Sequence, residues 1–237
     1  MTDAMSSQRA YARMAGLFYL LVLVFDIAGL AITSIVAGSG TFGESAGNVA
    51  ASEWLYRGGL IFSLLGTLAT VPLAVGLYMT LRPADAGLAL MGLLFRAVEV
   101  AVGAVGVVGS FAILRVFLAA NHHGAFDPTQ LRALTDLDPL GASTQVAAIS
   151  FCIGSTIFFY VFLKARYIPR IMAAWGVFAS LLYLAIWGAG LAAPGMPSLI
   201  SAIGSVPILI AEVSTGLWLL IAGIKLPAAG AYSSAGA

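Results

Sequence analysis

Six mainly apolar runs recur along the chain, at 14–37, 58–81, 88–112, 146–165, 170–193 and 199–224, with polar stretches between them. Crossing the roughly 30 Å hydrocarbon layer of a bilayer takes about 20 such residues as a helix. A helix suits that layer because it satisfies every backbone donor and acceptor within one segment. The pattern therefore predicts an all-α fold, a polytopic integral membrane helix bundle with six transmembrane helices. The first run follows Arg9 and Arg13, as an export signal would, but it is too long and carries Asp26 at its centre, so it reads as a membrane helix. The expected organisation is a cytoplasmic N-terminal segment at 1–13, a single six-helix transmembrane domain at 14–225, and a disordered cytoplasmic tail at 226–237.

The connections refine this picture. The long one, 113–145, contains "FDPTQLRALTDLDPL", a helix-start signature with Asp127 as N-cap, Pro128 at the first helical position and Gln130 at the third. Leu131, Leu134 and Leu137 recur on one face, which predicts a short amphipathic helix at the membrane surface or lidding the bundle. This connection splits the helices three and three, an arrangement in which an internal duplication is inverted, as in many transporters; the two halves show no convincing sequence similarity. Cytoplasmic segments are richer in lysine and arginine. Arg9, Arg13, Arg82, Lys164, Arg166, Arg170 and Lys225 fall on the N-terminal side, against Arg57, Arg115 and Arg132 on the other. That asymmetry places both termini on the cytoplasmic side. Trp54 and Tyr56 at one boundary, and Tyr78, Tyr167 and Trp218 near the other, suit interfacial aromatic belts.

Composition narrows the function classes. The 237 residues are 61% hydrophobic and 9% charged, where a soluble domain is about a quarter charged, so an ordinary soluble fold is excluded. A net charge of +1 implies neither a nucleic-acid partner nor a polybasic lipid-binding surface. The single cysteine, Cys152, reads as a small buried hydrophobe. No glycine-rich phosphate loop, nucleophile elbow or cysteine pair is present, so no cofactor is expected. His122 and His123 are adjacent, without the spacing of a zinc site, and read as surface residues; no metal is expected.

The informative residues are the charges inside the spans: Asp26 in the first, Arg96 and Glu99 in the third, Glu212 in the sixth. Each costs at least about 2.5 kcal/mol at that depth, so such groups face the bundle interior and have partners. Arg96 and Glu99 share a helix face at i, i+3. Three acids then face one cation, so either Arg57 or Arg115 snorkels in from the boundary or one carboxyl stays protonated. A carboxyl that exchanges its proton serves a transporter or an acid catalyst equally. The candidate titrating acids are Glu212, Glu99 and Asp26, and the candidate substrate-binding groups are Arg96 and Arg57. Pro72 and Pro207 interrupt hydrogen bonding in their helices, the latter five residues before Glu212, and such backbone often lines a cavity. Gly103, Gly106 and Gly109, with Ser110, read as a close-packing face or a dimer contact.

The stretches "ARMAGLFYLLV", "SEWLYRGGLIFSLLGTLATVPLAVGLYMTLRP", "LLFRAVEVAV", "FYVFLKARYIPRIMAAWGVFASLLYL" and "AEVSTGLWLLIAGIK" resemble, in that order, the blocks of a bacterial membrane-protein family known only as domain of unknown function 4386. The resemblance spans roughly 11 to 226. Arg57, Arg96, Arg170 and Glu212 fall on its polar positions, whereas at Glu99 it implies other polar residues such as glutamine. It implies six helices and no activity.

Three functions fit these residues. The first is small-solute or proton-coupled transport or binding, with a lipid-soluble or small anionic ligand and a homodimer as the working form in the lipid bilayer. The second is an intramembrane enzyme using acid/base chemistry on a lipid or polyprenyl substrate, by analogy with terpene cyclases, with Phe95, Phe159 or Trp175 facing a cationic intermediate. The third is a noncatalytic membrane partner or sensor subunit whose charges hold helices together.

Overall fold

A computed structural model describes residues 2–121, 127, 129, 130, 133, 141–192 and 198–225. Among them are seven helices: α1 (Thr2–Ala37), α2 (Phe42–Ala51), α3 (Glu53–Leu81), α4 (Ala86–Asn121), α5 (Gly141–Ala165), α6 (Arg170–Ala192) and α7 (Ser198–Ile221). All but α2 are long and apolar enough to cross a membrane. Their outward faces carry exposed Val24, Leu30, Ile35, Val108, Ile171 and Ile221, far more apolar surface than water tolerates and what hydrocarbon requires.

The six spans stand in a ring in chain order. Each packs on the next, α1 on α3, then α4, α5, α6 and α7, and α7 closes the ring on α1. The chain alternates up and down, so both described ends of the chain lie at one end of the ring. There the Gln8 side chain donates to the Thr80 carbonyl (2.7 Å), and the Lys225 N–H donates to the Tyr167 carbonyl (2.9 Å).

Several helix limits differ from those the hydropathy predicts. α1 begins at Thr2, because Ala12 and Ala15 are fully buried in the bundle and carry the helix back through the polar segment. α1 ends at Gly38, whose φ of 72° suits glycine and whose N–H returns to the Ser34 carbonyl at 3.0 Å. α2 was not foreseen. It starts with a capping box: the Glu44 N–H donates to Thr41 Oγ1 (3.4 Å), and the Thr41 N–H donates to Glu44 Oε2 (2.6 Å). The pattern Thr41-Phe42-Gly43-Glu44 carried that signal.

At the opposite end of the ring, α5 stops at Arg166 in the left-handed region, φ 58°. Pro169 then opens α6, its carbonyl accepting from Met172 and Ala173. The "YIPR" block is therefore a turn whose Tyr167 and Ile168 are buried in the core. α3 and α7 run through Pro72 and Pro207 as continuous helices. Tyr56 and Tyr167 are buried, so of these aromatics Trp54, fully outward, fits the interfacial belt best. In the long connection the Thr129 N–H donates to Asp127 Oδ1 (3.0 Å) and the Asp127 N–H to Gln130 Oε1 (3.2 Å), the predicted cap. The leucine face at 131, 134 and 137, His122, His123 and the tail 226–237 lie outside the described residues.

Candidate functional site

Side-chain size divides the bundle along its axis. At the end holding the chain termini, Leu73, Leu77 and Leu81 of α3, Phe158, Phe159 and Phe162 of α5, and Tyr19 of α1 fill the interior completely. Towards the other end the interior-facing positions become small: Gly103 and Gly106 on α4, Ser143, Ala147 and Ala148 on α5, Ser205 on α7. Side chains of this size do not meet across the ring. They leave a cavity of about 700 Å³ lined by all six spans, within the range of small-molecule sites.

All four intramembrane charges, Asp26, Arg96, Glu99 and Glu212, line this cavity. Arg96 is 1% exposed and sits where the hollow begins. Its Nη1 lies 3.1 Å from Glu99 Oε2 and 3.5 Å from Ser155 Oγ. Its guanidinium carbon stands 5.0 Å from the centre of the Phe151 ring, a cation–π contact. The aliphatic stem of Arg96 runs over Gly154, where a Cβ would stand 3.3 Å from it. The Arg96 Nε has no hydrogen-bond partner, and the Glu99 contact is an ion pair off the line of a hydrogen bond. Arg96 and Glu99 thus face each other as their spacing implied.

Glu212 is 8% exposed, and none of the described residues gives its carboxylate a hydrogen bond or an ion pair. Asp26 reaches across to α3, where its carboxylate occupies the space a Cβ at Gly66 would need. Pro207 lies between Ser205 and Ile208, both cavity residues, and its carbonyl accepts from Trp175 Nε1 (3.1 Å).

Arg57 is not brought to the site. It pairs with Glu53 one turn away on α3, Nη2 to Oε1 at 2.6 Å, on an exposed face. Arg115 is exposed as well. Neither enters the cavity, so among the described residues three carboxyls share one guanidinium. The aromatic candidates also move. Phe159 is sealed in the filled end against Gly176, Trp175 faces outward and Phe95 lies off the lining, whereas Phe151, Tyr183 and Trp187 form part of it. Tyr183 and Trp187 meet edge to face, centroids 5.8 Å apart. Of the small residues on α4 that read as a packing face, Gly103, Gly106 and Ser110 border the void, while a Cβ at Gly106 would also stand 3.3 Å from Ser143 Oγ on α5. Cys152 is buried and free, outside the lining. Among the described residues, no three of His, Cys, Asp and Glu gather as a metal site would need.

The family described as a domain of unknown function, DUF4386, matches residues 14–223. The chain belongs to the DUF4386 family. That match covers all six spans of this DUF4386 protein and every charged residue of its cavity. Neither a curated protein nor a solved structure matches the chain.

Proposed function

We propose that this integral membrane protein binds a small solute in the cavity and couples its movement to a proton exchanged on a cavity carboxyl. The observation that carries the reading is Glu212: more than nine-tenths buried, on the lining, and given no hydrogen bond or ion pair by any described residue. A buried charge without a partner is costly, so such a group persists where a ligand or a proton serves as its partner in turn. Arg96 acts as a positioning residue, holding Glu99 at 3.1 Å. The lysine and arginine asymmetry supports a bacterial inner-membrane protein with both termini cytoplasmic, in which case the hollow end faces outward.

The test uses proteoliposomes with a pH-sensitive dye inside and a panel of small solutes outside. Solute-driven proton movement is expected in the wild type and absent in Glu212→Gln of unchanged thermal stability. If no solute moves protons and native mass spectrometry finds no retained ligand, the reading is wrong. A second reading, a noncatalytic subunit, draws support from the Arg96–Glu99 pair alone, since an i, i+3 pair neutralises itself within one helix. That reading requires Glu212→Gln to leave every cellular phenotype intact.

A further inference from the structure

We propose that the ligand is a hydrophobic organic cation, which reaches the cavity from the bilayer between α1 and α7 and is held at Glu212. This rests on the solute-binding reading above and gives the solute a charge and a route.

The sign of the charge follows from what each ionised group already does. Arg96 is sealed at 1% exposure, stacked on Phe151 and paired with Glu99. No other carboxyl among the described residues forms an ion pair with it, although its charge also acts on Glu212 and Asp26 at longer range. The groups that remain open to the cavity, Glu212 and Asp26, are both carboxyls. An anion arriving here meets two uncommitted acids and a guanidinium already engaged, while a cation meets its counter-ion directly. The walls suit the rest of such a molecule: most of the lining surface is apolar, and the aromatic residues Tyr183 and Trp187 belong to it.

The route follows from how α1 crosses α7. Near the filled end the two backbones touch, since a Cβ at Gly16 would lie 2.5 Å from the Leu220 nitrogen. Further along, at the level of the cavity, Ile27 of α1 and Leu209 of α7 both line it and are 56% and 38% exposed. Lining side chains that stay this open mark the rim of the cavity. Asp26, next to Ile27 and itself exposed, puts a carboxyl at that rim. A molecule dissolved in the surrounding hydrocarbon passes from lipid to Glu212 without crossing water.

Equilibrium dialysis of the full-length protein in phosphatidylcholine nanodiscs, corrected for empty discs, tests this with tetraphenylphosphonium and tetraphenylborate, ions of like shape and opposite sign. Saturable one-site binding of the cation and none of the anion is expected. Glu212→Gln should weaken the cation at least about tenfold, and Leu209→Trp should slow its uptake more than it changes its affinity. Saturable binding of tetraphenylborate in place of the cation overturns the proposal and leaves solute binding standing. If neither ion saturates but native mass spectrometry finds a retained neutral molecule, the cation proposal alone falls; if nothing is retained either, both fall. The comparison of the two ions on the wild type decides the matter even where Glu212→Gln does not fold.

Discussion

One set of six helices builds two different interiors: the end at the chain termini is filled by Leu73, Leu77, Phe158, Phe159 and Phe162, while the other is emptied by Gly103, Gly106, Ala147, Ala148 and Ser143. The two ends differ in volume and in polarity, since serines, threonines and the four charges join the lining of the hollow. In a membrane, lipid is as good a solvent for leucine as a protein core, so helices hold together by contact rather than by escape from water. The filled end supplies the contact, and that is what permits the other end to forgo it. Four charges then sit in the hollow end, where space and polar neighbours tolerate them.

The widest separation between the two ends should appear on truncating side chains. Phe158 is 1% exposed and its ring lies on α4, 2.7 Å from where a Cβ at Gly92 would be. Phe158→Ala leaves a void in a sealed layer and should cost about 3 to 5 kcal/mol. Val107→Ala, on the cavity wall, merely widens an existing void and should cost about 1 kcal/mol or less. Thermal unfolding of both variants in one detergent measures the gap; equal losses would mean that the hollow end carries packing load after all.

Next in size is the pair at the boundary between the ends. Arg96→Met leaves Glu99 without its 3.1 Å partner and should destabilise on the order of 3 kcal/mol, the cost of leaving one partner of a buried pair alone. Adding Glu99→Gln should recover part of that loss, with a coupling of about 1 to 3 kcal/mol in the double-mutant cycle. Strict additivity would show that the 3.1 Å contact does nothing for the fold.

A pair of glycines gives the comparison its sharpest form, because one substitution changes sign between the ends. Gly16 faces the α7 backbone, so Gly16→Ala forces α1 and α7 apart and should cost about 1 to 3 kcal/mol. Gly103 borders the cavity, and a Cβ there would meet the Thr67 methyl at 3.7 Å, an ordinary van der Waals contact, so Gly103→Ala meets no clash and should stabilise α4 by up to about 1 kcal/mol through helix propensity. Melting temperatures moving in the same direction would refute the division of the bundle.

How much of this was legible in the sequence depends on what each feature obeys. The six spans were legible because the bilayer imposes a length and a composition on each of them separately. The four buried charges were legible for the same reason: their cost is local to the span. The cavity was not, because Gly103 and Gly106 read alike whether they admit a neighbouring helix or border a gap; here they do both, with Ser143 3.3 Å from where a Cβ at Gly106 would stand and the void beside them. Arg57 is a candidate for the site only as a boundary arginine that could snorkel in to balance the acids, while Glu53, four residues away, already pairs with it. Aromatic residues are common in all six helices, so choosing Phe151, Tyr183 and Trp187 over Phe95, Phe159 and Trp175 needed helix rotation, which hydropathy leaves undetermined. The capping box of α2 was readable and was passed over because its helix crosses nothing.

That same capping box supplies the smallest effect. Two carboxylates cap helices at opposite ends of the molecule. The Thr41 N–H and hydroxyl hold Glu44 below the ordinary glutamate value. The Leu88 N–H, with Lys164 2.9 Å away, holds Asp85 below the ordinary aspartate value. Ordinary values are about 4.3 and 3.9. A depressed folded-state value means that each cap is at full strength above the ordinary value and is lost as pH falls through the lower, folded one. Between pH 7 and about 5, amide exchange at Ser45 and Leu88 should therefore follow the intrinsic rate change alone, and protection should decline only below about pH 4. The two sites should then part. Each probe amide is followed by a buried alanine, Ala89 after Leu88 and Ala46 after Ser45, but Ala89 belongs to the large packed cluster of the filled end, whereas Ala46 belongs to neither hydrophobic cluster. Acid should thus open α2 more than the start of α4, and Glu44→Gln should abolish the acid step at Ser45 while leaving that at Leu88. Equal opening at both would show that the filled end lends no more support to its helix caps than the hollow end does.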